Sequence, residues 1–390
     1  MRILIVHNRY QLRSGEDAVV DAECELLRRH GQEVHLFLRD NRDIAALSVA
    51  RKSALLWRTA WSRQSYTDLL AELDRLQPDV VHVHNILPLL SPSIYAACAR
   101  RRVPVVQTLH NFRLYCPAAT FFRNGHICHA CVETSLFAGV RHGCYRGSRA
   151  QTLAVAAMLR TLHKPAGPLA SVSRFIVLTH WHRQRFAALG LPQEKLVVKP
   201  NFLPDTEPQQ RTPADYVLFI GRLAGEKGVL RLLDIWQHLP DIPLRIAGDG
   251  PLRETVRTRT DELPQVRVLG RITPERRAQL LAGARFLVVP SLWQEGLPLV
   301  VLEAFAAGVP VAVSDLGALP AVVPPDCGVH FTPLQSRAAA AKLRAFNADA
   351  AALQNASRAA RREYQTTYSS ATNYRMLIAI YEQAIAEASP

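Results

Sequence analysis

Short apolar runs of four or five residues recur along the whole chain, and that rhythm constrains the fold more than any other feature. In the first half they are Ile3–Val6, Val34–Leu38, Val80–Val83, Val105–Leu109, Phe175–Leu178 and Leu196–Lys199. In the second half they are Tyr216–Ile220, Leu244–Ala247, Val266–Leu269 and Phe286–Val289, with another strand starting after Pro310. Runs this short suit strands better than helices, and their lack of polar alternation suits strands buried on both faces. Between them lie helical stretches: Glu16–Arg29, Tyr66–Leu76, Ile94–Arg101, Ala150–Leu162 and Pro274–Gly283. Strand–helix alternation of this kind predicts doubly wound α/β architecture, with helices on both faces of a parallel sheet.

A chain of 390 residues has room for two such domains, each with its own core. Pro200, Pro204, Pro208 and Pro213, with polar residues between them, mark a linker. The expected division is an N-terminal domain over residues 1–200, a linker over 201–213, a second domain over 214–365 and a C-terminal helix over 366–390. The first residues, MRILIVHN, run directly into a strand without a signal-peptide pattern. No stretch approaches the ~18 uninterrupted apolar residues of a membrane span. A cytoplasmic location is expected.

Charge is unevenly spread. Residues 1–200 hold 27 Lys and Arg against 14 Asp and Glu, whereas residues 201–390 hold 20 against 19. A basic first half points to an anionic partner: a phosphate-bearing ligand or an anionic membrane face. Leu55–Trp61, apolar around Arg58, is a candidate to cover the domain or to touch lipid headgroups. Nucleic acid is disfavoured because the basic residues are dispersed among apolar strands without a recognisable nucleic-acid motif.

The stretch Phe112–Ser148 has little periodicity and holds four of the seven cysteines. Cys116, Cys128, Cys131 and Cys144 are separated by eleven, two and twelve residues. A central C-x-x-C with a flanking Cys on each side resembles a zinc-site spacing, with His126, His129 and His142 as substitutes. Structural zinc and buried unligated thiols are both open readings, and disulfides are disfavoured in a reducing compartment.

The chemistry concentrates in SLWQEGLPLVVLEAFAAGVPVAVS, Ser291–Ser314. Pro298 is expected at the first helical position, which tolerates a missing N–H. Glu295 falls in the loop before that helix and Glu303 on the helix itself, so both can face one crevice. Arg222 and Lys227, in GRLAGEKG at a strand end, form a candidate phosphate clamp. In the first domain Gly15 stands at a loop–helix junction, and no G-x-G-x-x-G follows, which argues against a dinucleotide dehydrogenase. His110 ends a strand near the expected ligand crevice. His82 and His84 are expected to face opposite sides of their strand.

Taken together, these residues resemble the retaining GT-B-type glycosyltransferases of the large E-x7-E family (family 4-like, group 1), with Glu295 and Glu303 as the two glutamates. The resemblance covers nearly the whole chain: the Gly15 loop, TLHN ending at Asn111, GRLAGEKG, IAGDGPL, VLG at Gly270, and the Ser291–Gly317 segment. Ser14, where the family usually has glycine, and Ala321, where many relatives have glutamate, depart from its pattern.

The resemblance implies a GT-B fold: two Rossmann-like domains facing across a cleft, with the C-terminal helix returning toward the N-terminal domain. It implies transfer of a sugar from a UDP- or GDP-sugar to a glycan or lipid-linked acceptor, in surface polysaccharide or lipopolysaccharide assembly. By position, Glu303 would hold the ribose, Glu295 and His110 the sugar, and Arg222 and Lys227 the diphosphate. Gly15, Gly248 and the backbone of Gly296, Leu297, Pro298, Leu299 and Val300 would add contacts, with Arg271 and Ile272 near the base. No cofactor is expected for catalysis, because side-chain cations take the metal's place. The cysteine-rich insertion at 112–148 would help shape the acceptor side, and a peripheral place on the inner membrane face is expected. Two rivals stand beside this reading: a GT-B-fold sugar-nucleotide epimerase or hydrolase, and a non-catalytic sugar-nucleotide-binding subunit.

Overall fold

The structure, a computed structural model, describes residues 1–204, 211 and 213–388. Most of the expected linker at 201–213 lies outside the described residues. The chain divides into two compact units. One comprises Met1–Phe121, Cys128–Lys199 and Asn373–Pro390, the other Phe122–Ile127 and Pro200–Thr372.

The first unit is built on strands β1 (Arg2–Arg9), β2 (Glu33–Asp40), β3 (Val80–Val83) and β4 (Val105–Leu109). A two-stranded antiparallel hairpin that belongs to the second unit follows in the chain, β5 (Phe122–Arg123) and β6 (His126–Ile127), and then come the first unit's β7 (Val172–Val177) and β8 (Leu196–Val198). The main sheet is wholly parallel in the order β2-β1-β3-β4-β7-β8. Parallel neighbours cannot be joined by tight turns, so each crossover carries the chain over a face of the sheet. That explains the unbroken apolar runs. Leu4 and Val6 pack into a core on one face, with Leu69, Ile94 and Leu159. Ile3 and Ile5 pack into another on the opposite face, with Val20 and Leu27.

The second face is completed from the far end of the chain. The helix Ser370–Ala388 lays Leu377, Ile380, Tyr381 and Ala384 against Ile3, Ile5, Val106 and Ile176. Fully burying each large side chain contributes about 1.5–3 kcal/mol. This helix begins at Ser370, and from Asn373 onward it belongs to the first unit, the return expected of the terminal helix.

The second unit contains β9 (Val217–Ile220), β10 (Leu244–Ala247), β11 (Val266–Gly270), β12 (Leu287–Val289), β13 (Val311–Ser314) and β14 (Gly328–Phe331). They form a parallel sheet in the order β11-β10-β9-β12-β13-β14. Strand order reverses at the β9–β12 junction, so loops leaving the carboxyl ends of these strands diverge to opposite faces and leave a crevice.

Two expectations are corrected. His82 and His84 do not face opposite sides: side chains two residues apart share a face of a strand, and the ring centroids lie 4.1 Å apart. Pro298 is not the first helical residue but the cap before the helix Leu299–Ala306, with extended backbone (φ −66°, ψ 123°). The aperiodic stretch after Phe112 holds the hairpin and two short helices, Ala130–Glu133 and Leu136–Arg141.

One core residue makes stability depend on pH. His182 is fully buried beside Phe112, Trp181 and Phe186, and neither ring nitrogen has a hydrogen-bond partner among the described residues. Burial lowers its pKa to about 3. The unfolded chain takes up this proton near pH 6.5 and the folded chain only near pH 3. Stability is therefore lost progressively as pH falls between those values, on the order of 2–3 kcal/mol by pH 4.5. His182→Phe is expected to flatten the dependence of the thermal midpoint on pH between 6.5 and 4.5. An unchanged slope would refute this assignment.

Candidate active site

The site in the second unit is assembled from the two loops that leave β9 and β12 at the strand-order reversal. After β9 the chain runs through Gly221 and Arg222 into a single 3-10 turn, Gly225–Lys227. Gly228 follows at φ +70°, and the helix Val229–Trp236 begins. After β12 it runs through Pro290, Ser291, Trp293 and Glu295 to Pro298, where the helix Leu299–Ala306 begins. Leu292 N donates to the Glu226 carbonyl at 2.9 Å, tying the two loops together.

Across this junction Lys227 Nζ donates to Glu295 Oε1 at 2.6 Å. Ser291 Oγ donates to the same oxygen at 2.7 Å. Ser291 is itself held through its carbonyl, which accepts from Ser314 Oγ at 2.7 Å. Glu295 is 4% exposed, whereas the Lys227 side chain keeps 26% of its surface. The pair is thus a buried carboxylate with a cation at its open edge. Lys227 Nζ also stands 5.2 Å from the centre of the Trp293 ring, within cation–π range. Arg222 is largely exposed and pairs with Glu226. Two cations therefore border the crevice, neither locked into the core.

Glu303 lies in the helix Leu299–Ala306, and its Oε1 accepts from Arg277 Nη1 at 2.7 Å. Its other oxygen is buried without a hydrogen-bond partner among the described residues. Burial raises the Glu303 carboxyl above its ordinary range, and the Arg277 guanidinium opposes that rise. Trp293 Nε1 and Gln294 Oε1 are also buried and unpaired. Buried polar groups are nearly always satisfied in folded proteins. Trp293, Gln294 and Glu303 thus keep polar atoms able to meet a ligand, although other buried groups of the chain, such as His182 and Arg211, are unpartnered too.

Glycines set the backbone here by close approach. A Cβ on Gly248 would fall 1.8 Å from the Gly221 carbonyl oxygen. At Gly317 (φ +63°) it would fall 2.9 Å from Gln294 Cα. Gly296, Pro298, Leu299 and Val300 are partly exposed and Leu297 is buried. The Val301 amide donates to the Pro298 carbonyl at 3.0 Å, and the amides of Leu299 and Val300 remain as donors among the described residues. Arg271 is exposed, 3.6 Å from Asp249, and Ile272 follows it.

The first unit contains Gly15 and His110. Gly15 opens the helix Gly15–Arg29 behind a capping box, in which Ser14 and Asp17 satisfy each other's backbone N–H groups. His110 follows β4 and lines a cavity of about 40 Å³ with Glu16, Asn85, Asn111 and Arg113. Burial lowers its pKa, so the ring is neutral at pH 7.

The structure thus brings Arg222, Lys227, Glu295 and Glu303 into one unit, and joins Lys227 directly to Glu295. Sequence reasoning missed Ser291, Trp293 and Arg277, which hold or flank the two glutamates. Arg277 lies 26 residues from Glu303, and nothing in its helix's charge pattern marks it as a partner.

Among the described residues, one triad of ligating atoms lies within 4.8 Å: Glu23, His82 and His84. The four cysteines do not form such a set, but Cys131 feels the other three. Burial pushes its thiol up to about 11, and the neighbouring thiols, Cys116 first, add to the rise.

Residues 205–363 match the family of glycosyl transferases group 1, and residues 14–207 match glycosyltransferase family 4. The chain is 24% identical over 300 residues to the sulfoquinovosyl transferase SQD2 of Arabidopsis thaliana, covering 76% of this chain and 55% of that one. It is 23% identical over 245 residues to the putative teichuronic acid biosynthesis glycosyltransferase TuaC of Bacillus subtilis, covering 62% and 54%. The chain spans about half the length of the curated relatives it matches. Among solved structures, Anabaena Alr3699/HepE in complex with UDP-glucose superposes with a TM-score of 0.66 at 17% identity, covering 98% of this chain and all of that one. That likeness is one of fold, GT-B.

Proposed function

The chain belongs to the group 1 glycosyl transferases, and from that premise we propose that it moves a sugar, with retention at the anomeric carbon, from a nucleoside-diphosphate sugar to a glycan or lipid-linked acceptor. The observation that carries the proposal is the junction of Lys227 with Glu295 at the strand-order reversal, beside exposed Arg222 and the unpaired oxygen of Glu303.

Transfer from such a donor needs the diphosphate leaving group stabilised as its bond to the sugar breaks. The solvent-accessible cations Arg222 and Lys227 and the amides of Leu299 and Val300 supply that stabilisation without a metal ion. Glu295, released from Lys227 when the cation turns to phosphate, becomes an acceptor for sugar hydroxyls. Glu303 offers its unpaired oxygen to a ribose hydroxyl, and His110 is assigned to the donor sugar. A UDP-glucose complex of one structural neighbour and the polysaccharide setting of TuaC support the choice of donor and a role in surface polysaccharide or lipopolysaccharide assembly. A panel of UDP- and GDP-sugars scored by thermal shift and then by product analysis tests the proposal. At least one should raise the midpoint and yield a glycosylated acceptor of unchanged anomeric configuration. Consumption of donor at a rate that acceptor never raises would favour an epimerase or hydrolase instead.

Peripheral attachment to an anionic membrane face is part of the same reading. No helix among the described residues is long and apolar enough to cross a membrane. The helix Val49–Arg58 buries none of its residues, exposes Trp57 and Val49 at 81% each, and carries Arg51, Lys52 and Arg58. Aromatic and basic residues together on an exposed helix suit the headgroup region. Trp57→Ser should reduce co-sedimentation with anionic liposomes severalfold. Sedimentation independent of both Trp57 and anionic lipid would overturn the attachment.

The cysteines Cys116, Cys128, Cys131 and Cys144 are proposed as ligands of a structural zinc. No three of their sulfurs lie within 4.8 Å of one another, so a shared cation would have to draw them together as thiolates from the neighbourhood of Cys131. Metal analysis of protein purified without added zinc should give close to one equivalent. A value near zero with four titratable thiols would reject zinc.

A further inference from the structure

A buried chain of charged and polar side chains runs through the first unit and ends at His110. Glu23, on the helix Gly15–Arg29, is fully buried, and its Oε1 accepts from Lys199 Nζ at 2.6 Å. Among the described residues its Oε2 has no hydrogen-bond partner, and it faces His84 Nε2, also unpaired there, at 3.6 Å. His84 Nδ1 lies 3.0 Å from His110 Nε2. No hydrogen bond is formed at His110 Nδ1 among the described residues. His82 does not compete, because Tyr381 and Thr108 occupy both of its nitrogens at 2.7 Å.

We infer that Glu23 and His84 are positioning residues that hold His110 as the Nε2–H tautomer, so that its Nδ1 meets the donor sugar as a hydrogen-bond acceptor. This inference rests on the assignment of His110 to the donor. The direction of each hydrogen bond follows from its neighbour. The Lys199 ammonium can only donate, so it requires an acceptor on Glu23. Burial by itself would raise the Glu23 carboxyl, but the charge and hydrogen bond of Lys199, together with the neighbouring imidazoles of His82 and His110, outweigh it and hold the group below its ordinary range as a carboxylate. A carboxylate offers no proton, so the His84 nitrogen facing Oε2 carries the hydrogen. Burial keeps both His84 and His110 neutral. A neutral imidazole has one N–H, so His84 Nδ1 is a lone pair and must accept from His110 Nε2. The one remaining nitrogen, His110 Nδ1, then carries a lone pair. The donor group that meets it must bring its own hydrogen: a hydroxyl or an amide N–H, not a carboxylate or an ether oxygen.

The test is the ¹⁵N spectrum of histidine-labelled full-length protein at pH 7, with His110 identified by the signal lost in His110→Asn. The expected result is an unprotonated Nδ1 and a protonated Nε2 on His110. A protonated Nδ1 in the wild-type protein would overturn the inference. In Glu23→Gln the amide oxygen takes the Lys199 bond and the amide N–H₂ faces His84. Lys199 still donates, but the polarity from His84 onward should reverse and place the hydrogen on His110 Nδ1, and kcat/KM for the donor should fall about tenfold. A folded Glu23→Gln protein with the wild-type tautomer would likewise overturn it. If that variant does not fold, the wild-type spectrum decides alone. Because the tautomer is read without donor, a correct tautomer in a protein that binds no nucleotide sugar would sink the donor assignment and leave the chain from Glu23 to His110 standing.

Discussion

Lys227→Ala and Glu295→Ala should each lower kcat/KM for glycosyl transfer by about 10²–10³-fold, the range found when one preorganised electrostatic contact to a developing charge is removed. The two residues share a 2.6 Å bond, so their effects should not add. Losing Lys227 also leaves the Glu295 carboxylate at 4% exposure with Ser291 as its remaining side-chain donor, at a cost of about 1–3 kcal/mol in stability. Losing Glu295 leaves a lysine with part of its surface in water, which costs less. The thermal midpoint should therefore fall more in Lys227→Ala than in Glu295→Ala, while both lose most activity. Glu295→Gln, which keeps the Ser291 bond, should restore the midpoint but not the rate. Steady-state kinetics beside thermal unfolding separate the two effects, and full transfer in either alanine variant would refute the assignment.

Gly228→Ala is expected to be among the most damaging single methyl additions in the second unit. Gly228 lies at φ +70°, where a side chain costs roughly 1–2 kcal/mol from local sterics alone. The added Cβ would also fall 1.8 Å from the Pro290 carbonyl oxygen. That atom belongs to backbone and cannot rotate away, so the Lys227 turn and the Ser291–Glu295 loop would have to separate. We expect a loss of several kcal/mol in stability and at least a 100-fold loss of transfer. Gly225→Ala is the control. Its Cβ would meet nothing within 4 Å, and activity should stay within a few-fold of the parent. Equal activity in the two variants would show that the close approach of these loops is not needed.

Both predictions depend on loops whose ends were legible in the chain and whose meeting was not. Val80–Val83, Val105–Leu109 and Leu244–Ala247 could be read to the residue, because parallel strands buried on both faces leave unbroken apolar runs. Such runs do not carry register or strand order, so nothing local indicates that β9 and β12 are neighbours at a reversal. For the same reason Arg277 was not singled out as a partner of Glu303, whereas His84 was placed on the wrong face against a local rule, that residues two apart share a face. Its contact with Glu23 joins residues 61 positions apart.

By itself the sequence determined the α/β class, the two-part division, the terminal helix and the residue types able to stabilise a departing diphosphate. Each of these rests on local patterning or on motifs read in order. Tertiary structure alone decided that Lys227 is held by Glu295, that Glu303 keeps one oxygen unpaired, and that His110 ends a buried chain from Lys199. Those are contacts between side chains far apart in the chain. Their geometry is set by the packing of strands and helices, which no local run of residues encodes.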